Sequence, residues 1–155
     1  MTQPLLSILI PTVVGREDEC HELELTIDKQ AYNRKVDVFD KWGDVIRREW
    51  DLLTFVETII YKDDKKISIG EKRERLYSLA NGTYSFMIDD DDSIAPNAIE
   101  LILNAIKNNP EIPCITFREK CMMNGIYKSS NHSIRYSQWM DNQDGFDYVR
   151  SPFYK

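Results

Sequence analysis

Two nearly continuous apolar runs stand out along the chain. One is Leu5-Leu6-Ser7-Ile8-Leu9-Ile10, stopped by Pro11. The other is Thr83-Tyr84-Ser85-Phe86-Met87-Ile88, bounded by Asn81-Gly82 and by Asp89-Asp90-Asp91-Asp92. Runs of this length without polar alternation predict strands covered on both faces, as in the middle of a parallel sheet. A third run, Phe55 to Tyr61, ends at Lys62-Asp63-Asp64-Lys65-Lys66. Helical periods lie between them. Glu17 to Tyr32 sets Cys20, Leu23, Ile27 and Ala31 on one stripe, with acids near its start where they suit the helix dipole. Phe39, Trp42, Ile46, Trp50 and Leu53 recur at three- and four-residue steps and predict a second helix, which contains Gly43. Glu71 to Ala80 forms a third, with Leu76, Leu79 and Ala80 as its apolar side and Asn81-Gly82 as its stop. A fourth starts at Ser93 to Pro96, with Pro96 near its first position. Its stripe is Ile99, Ile102, Leu103 and Ile106, and Asn108-Asn109-Pro110 ends it.

Cys114 to Phe117 predicts a further strand. Asn124-Gly125, between Cys121-Met122-Met123 and Ile126-Tyr127, predicts a type I′ hairpin. Beyond Ser130 only isolated aromatics stand among polar residues: Tyr136, Trp139, Phe146 and Tyr148. The order β-α-α-β-α-β-α-β followed by a hairpin predicts an α/β protein with a mostly parallel sheet flanked by helices, in one domain.

Charge and composition narrow the classes. The 155 residues carry a net charge of −6, so no electrostatic footprint for nucleic acid is present. No apolar run reaches the length of an integral membrane segment, and Met1 to Ile10 lacks the charged start and long core of a signal peptide. Cys20, Cys114 and Cys121 are odd in number and form no CxxC pair, which predicts reduced thiols in a cytoplasmic protein and no zinc. His21 and His132 are single and far apart, and read as ordinary polar residues.

Three loops are expected at the carboxyl edge of the sheet, where open α/β sheets place their ligands. The first, Pro11 to Arg16, offers a hydroxyl, backbone amides and a guanidinium. The second, Lys62 to Gly70, offers Asp63 and Asp64, with Lys72 and Arg73 on the helix that follows. The third offers Asp89 to Asp92. Four adjacent aspartates repel one another and call for a cation. Carboxylates, cations and a divalent metal together are the equipment for a nucleoside diphosphate.

In combination these residues resemble a known family. Ser7-Ile8-Leu9-Ile10-Pro11-Thr12 with Arg16, Asp63-Asp64, Gly70-Glu71-Lys72-Arg73, and Ala80-x-Gly82-x-Tyr84-x-Phe86-x-Ile88 leading into Asp89 to Asp92 with Pro96 are similar to family 2 glycosyltransferases. The resemblance spans Leu5 to Phe117. It implies the GT-A fold, Rossmann-like and shared by nucleotide-diphospho-sugar transferases, with residues 1–117 as the nucleotide-sugar-binding core and 118–155 as a partial acceptor-side segment of the same domain. The implied activity is metal-dependent, inverting transfer of a sugar from a nucleotide-sugar donor, expected to be a UDP-sugar, to an acceptor hydroxyl on a glycan, lipid or protein. By the same resemblance Pro11, Thr12 and Arg16 line the nucleotide pocket, Asp63 bonds the base, and Lys72 and Arg73 lie by base or diphosphate. Asp89-x-Asp91 matches the D-x-D motif for Mn²⁺ or Mg²⁺, with Asp91 the main ligand and Asp90 nearer the ribose.

The chain departs from the family pattern at three places. Glu74 stands where the family usually has Asn, and the stretch from Val36 to Leu53 is longer than usual. The family's catalytic carboxylate, expected downstream, has no counterpart among Asp141, Asp144 and Asp147, which read as loop solvation. The alternative function is therefore a truncated or degenerate GT-A domain that binds nucleotide without turnover. A sugar-phosphate nucleotidyltransferase would need a Gly-rich, Arg-containing signature where Val13-Val14-Gly15-Arg16 stands. A calcium loop would need the EF-hand spacing that Asp89 to Asp92 lacks.

Overall fold

The computed structural model describes residues 3–31 and 55–150, together with the backbones of 34–39 and 45–51. The chain divides into two compact units, residues 1–110 and 111–155.

The first unit is built on a five-stranded sheet. Its strands are β1 (Leu6–Val13), β2 (Arg34–Phe39), β3 (Val45–Asp51), β4 (Val56–Asp63) and β5 (Tyr84–Met87), in the order β2-β3-β4-β1-β5. β1 runs parallel to β4, with Leu6 opposite Val56 and Val13 opposite Asp63, and parallel to β5, with Leu6 opposite Tyr84. The helices are α1 (Glu17–Asp28), α2 (Ile69–Leu79) and α3 (Ala98–Asn108). Three parallel strands with helical crossovers make this an α/β unit, as the sequence predicts.

Burial explains the two long apolar runs. Leu6 and Ile8 to Ile10 in β1, and Val56 and Ile59 to Tyr61 in β4, are all buried. On one face Leu9, Ile59, Tyr61 and Leu76 form a cluster to which Ile67, Leu79, Ala80 and Met87 add, so α2 covers that face. α1 contributes the buried stripe Cys20, Leu23 and Ile27, and α3 contributes Ile99, Ile102, Leu103 and Ile106. Gln30, just past α1, joins the two helices: its Nε2 donates to the Ala95 carbonyl at 3.1 Å and its Oε1 accepts from the Ile99 amide at 3.1 Å.

At the amino edge of the sheet, buried Glu57 ties the strands together. Ser7 Oγ donates to Glu57 Oε1 at 2.7 Å, the Asn81 amide donates to the same oxygen at 2.5 Å, and the Gly82 amide donates to Ser7 Oγ at 2.7 Å. This fixes where β5 enters the sheet.

In this unit four expectations need correction. Among the described residues the second helix is absent: Phe39, Ile46 and Trp50 belong to the antiparallel strands β2 and β3, with Val38 opposite Ile46, while Trp42, Gly43 and Leu53 lie outside the described residues. A four-residue step keeps a side chain on one side of a helix or a strand alike, and the alternating β-branched Val36-Asp37-Val38 decides for the strand. β5 is an edge strand, with Ser85 exposed and Tyr84, Phe86 and Met87 half-buried. An apolar run reports non-polar faces; it does not report a neighbour on each side. α1 ends at Asp28, short of Tyr32, which lies outside the described residues. α3 begins at Ala98, two residues beyond Pro96.

The second unit is a four-stranded sheet of order β6-β7-β9-β8: β6 (Arg118–Met123), β7 (Ile126–His132), β8 (Met140–Gln143) and β9 (Phe146–Arg150). β7 and β9 are parallel and the other pairs antiparallel. The expected hairpin is present, with Asn124 at φ 52° and Gly125 at φ 78° as type I′ requires. Cys114 to Phe117 makes no strand; β6 starts at Arg118. The second hairpin, β8–β9, turns at Asp144 (φ 55°) and Gly145 (φ 80°). Its signal was the Asp-Gly pair itself.

Candidate functional site

The carboxyl ends of β1, β4 and β5 lie side by side, because the three strands are parallel and in register. The chain leaves β5 through a tight turn in which the Asp92 amide donates to the Asp89 carbonyl at 3.0 Å. That turn separates the four carboxylates. Asp90 is buried, and its Oδ2 accepts the Thr12 hydroxyl from β1 at 2.7 Å. Asp91 and Asp92 are exposed.

Arg16, in the loop after β1, reaches across to the turn. Its Nη2 lies 3.1 Å from Asp90 Oδ1 and 2.8 Å from Asp91 Oδ2. The hydrogen bond from Arg16 holds the Asp91 carboxyl below the usual carboxylate range, and Asp91 in turn raises the guanidinium. From α2, Arg73 Nη2 donates to both oxygens of Asp89, at 2.8 and 2.9 Å. The repulsion within the acidic run is thus answered by two arginines from two other elements.

Lys72 takes a different direction. It is 2% exposed, and its ammonium donates to the Thr12 carbonyl at 2.5 Å and pairs with Asp63. Burial works to raise Asp63, but the bond from Lys72 and the amide of Ile67 outweigh it, and the carboxyl stands lowered. Ser68 caps α2, its Oγ accepting the Glu71 amide at 3.1 Å, which fixes the turn of helix that carries Lys72 and Arg73. The four-residue step from Lys72 to fully buried Leu76 puts Lys72 on the apolar stripe of α2 and so directs it inward.

Two cavities meet at the end of β1. One of about 280 Å³ is lined by Pro11, Thr12, Val13, Arg16, Ile69, Lys72, Asp89, Asp90 and Asp91. The other, of about 710 Å³, shares Thr12 and Val13 and adds Lys62, Asp63, Asp64, Cys20, His21 and Glu24 among others. Of the residues singled out in the sequence, seven line the smaller cavity. Asp63 lines the larger, and Arg73 touches the site through Asp89. Cys20 is no nucleophile: burial and the neighbouring Glu24 push its thiol up to about 12.

Among the described residues no three His, Cys, Asp or Glu side chains converge into a cage for a metal ion. The donor chemistry still suits Mg²⁺ or Mn²⁺. Such ions are commonly held by one or two carboxylates and complete their shell with phosphate oxygens and water, and Asp89 and Asp91 line one cavity as that arrangement needs.

In the second unit the downstream carboxylates serve their own sheet. Asp144 Oδ2 accepts the Tyr136 hydroxyl at 2.6 Å, and Asp147 Oδ2 accepts the Ser129 amide at 2.7 Å and hydroxyl at 3.0 Å. Asp141 accepts the Trp139 indole N–H at 2.9 Å. His132 lies beside Glu119 and Arg150, its pKa lowered chiefly by burial.

A family model described as "Glycosyl transferase family 2" matches residues 57–154. The match starts at β4, later than the resemblance read from the sequence, and runs past Phe117 through the second unit. It includes Asp63, Lys72, Arg73 and Asp89 to Asp91, while Pro11, Thr12 and Arg16 lie upstream of it and reach the site through β1. Neither the curated proteins nor the solved structures give a match. Since the matched region is well over half of the chain, the protein belongs to the glycosyl transferase family 2.

Proposed function

We propose that the chain transfers a sugar from a UDP-sugar to an acceptor hydroxyl with inversion, using Mn²⁺ or Mg²⁺, on a GT-A fold. The observation that carries this reading is the meeting of Arg16, Lys72 and Arg73 with Asp63 and Asp89 to Asp91 at the ends of three parallel strands, around two cavities that share Thr12 and Val13. The nucleoside takes the larger cavity, with Asp63 and Asp64 as acceptors for N–H groups of the base. Pro11 and Thr12 line the passage, and Asp90 faces the ribose. The diphosphate takes the smaller cavity, where Arg16 and Arg73 supply guanidinium forks. Asp89 and Asp91 hold the metal, whose chemistry when bound is to neutralise the charge developing on the departing diphosphate. The odd number of cysteines, without a CxxC pair, is the ground on which the setting is proposed to be reducing and cytoplasmic.

Titration calorimetry tests this. Mn²⁺ should raise UDP affinity, and Asp91→Ala should abolish the metal-dependent part while the circular dichroism spectrum is kept. Equal UDP affinity with and without metal would sink the reading. One observation favours the second reading, binding without turnover: Asp144 and Asp147 are taken up by hydrogen bonds inside the second unit. Full UDP affinity with no transfer to any acceptor in a broad panel would select it.

A further inference from the structure

Resting on the metal reading above, we propose that Arg16 is an internal counter-ion that competes with the divalent metal for Asp91 and passes to the diphosphate when nucleotide binds. Each of Asp89, Asp90 and Asp91 bears a guanidinium contact, so none of these three carboxylates presents itself bare. An oxygen that accepts an arginine N–H has committed a lone pair, and a divalent ion placed beside the same guanidinium is repelled by it. Metal and Arg16 are therefore antagonists at Asp91.

The contacts are unequal, and the inequality says which one yields. Asp90 is buried and its second oxygen is held by Thr12, so its position is part of the fold. The Asp91 side chain is 59% exposed and that of Arg16 36%, so their pair sits in high dielectric, where it contributes little and exchanges readily. A diphosphate offers the guanidinium a better partner, because pairs of non-bridging oxygens on its tetrahedral, anionic phosphates accept both N–H groups of the planar fork. Nucleotide drawing Arg16 away opens Asp91 to the ion, and the ion on Asp91 sends Arg16 to the phosphate. The two ligands bind with positive, reciprocal coupling, and free metal alone binds poorly.

The test separates this idea from the reading it rests on. Mn²⁺ binding is followed by the loss of the free-ion paramagnetic resonance signal, with and without UDP, in the full chain, and thermal melts check the fold. Arg16→Gln should bind Mn²⁺ alone about 5- to 10-fold more tightly than the wild type, within the usual range of coupling between sites. The same variant should bind UDP more weakly in the presence of Mn²⁺. Arg16→Lys keeps the charge, and its affinity for Mn²⁺ alone should stay near the wild type. If Arg16→Gln binds Mn²⁺ no better than a wild type that binds it normally with UDP, the counter-ion role is overturned and the metal site stands. If Arg16→Lys tightens Mn²⁺ as much as Arg16→Gln, charge is not the cause and the role is overturned likewise. If no form binds Mn²⁺ even with UDP, the metal reading falls and takes this proposal with it.

Discussion

At the scale of single residues, Gly82 shows how tightly the entry to β5 is drawn. A Cβ there would stand 2.5 Å from Ser7 Oγ, 2.6 Å from the Ser7 amide nitrogen and 2.8 Å from the Tyr84 carbonyl oxygen. Two of these are backbone atoms of paired strands and cannot swing aside. Gly82→Ala should therefore destabilise the protein by roughly 1–3 kcal/mol, the usual cost of overpacking, through displacement of β5 from β1. Urea denaturation would report it, and an unchanged midpoint would contradict the close approach. The motif containing Gly82 was legible as a pattern, but the reason for its glycine was not, because Ser7 is distant in sequence. The charged neighbourhood divides in the same way. Arg16 and Asp89 to Asp92 were visible as loop charges at strand ends. The pairing of Lys72 with Asp63 was hidden, because it depends on which face of α2 carries Lys72 and on the end of β4 lying under that face.

At the scale of elements, α2 has two tasks on adjoining stripes. Leu76 is fully buried against Leu9, Ile59 and Tyr61, and one turn earlier Lys72 reaches the cleft. Leu76→Ala removes a side chain from the centre of that cluster and should cost roughly 2–5 kcal/mol, the range for cavities in well-packed cores. Because the same helix carries Lys72 and Arg73, the UDP affinity proposed above should fall with it near the melting transition. Thermal melts with and without UDP measure both, and a loss of stability under about 1 kcal/mol would show that the face collapses around the gap. Helices of this kind were legible because a buried stripe on one face leaves a 3.6-residue period. β2 and β3 were not: Phe39, Ile46 and Trp50 fit either period, and only the short-range alternation of Val36 and Val38 separates them. The edge position of β5 could not be read from composition at all, since strand order follows from pairing between distant segments.

At the scale of the whole molecule, acid sensitivity is distributed over both units, and the second offers the cleaner measurement. Asp147 accepts the Ser129 amide, the Ser129 hydroxyl and the Lys128 ammonium, and the Ser129 amide contributes most to holding its carboxyl below the usual range. Asp144 is lowered likewise, chiefly by the Tyr136 hydroxyl. A carboxylate whose folded pKa lies below its unfolded value, about 3.9 for Asp, contributes stability that is fully present above the unfolded value. That contribution is lost as pH falls through the folded one. The second sheet should hold its stability down to about pH 4 and lose it progressively below. Trp139, stacked on Tyr148 at 4.6 Å between ring centroids, reports on this sheet. With Trp42 and Trp50 replaced by Phe it is the sole indole of the chain. In that background Asp147→Asn should be less stable at neutral pH and should lose less on acidification, because the group that titrates is gone. An acid transition of unchanged steepness in the Asn variant would place the sensitivity elsewhere, with Asp144 the first residue to replace next. The prediction needs only the second unit's own hydrogen bonds, so it is independent of whether the cleft in the first unit binds nucleotide.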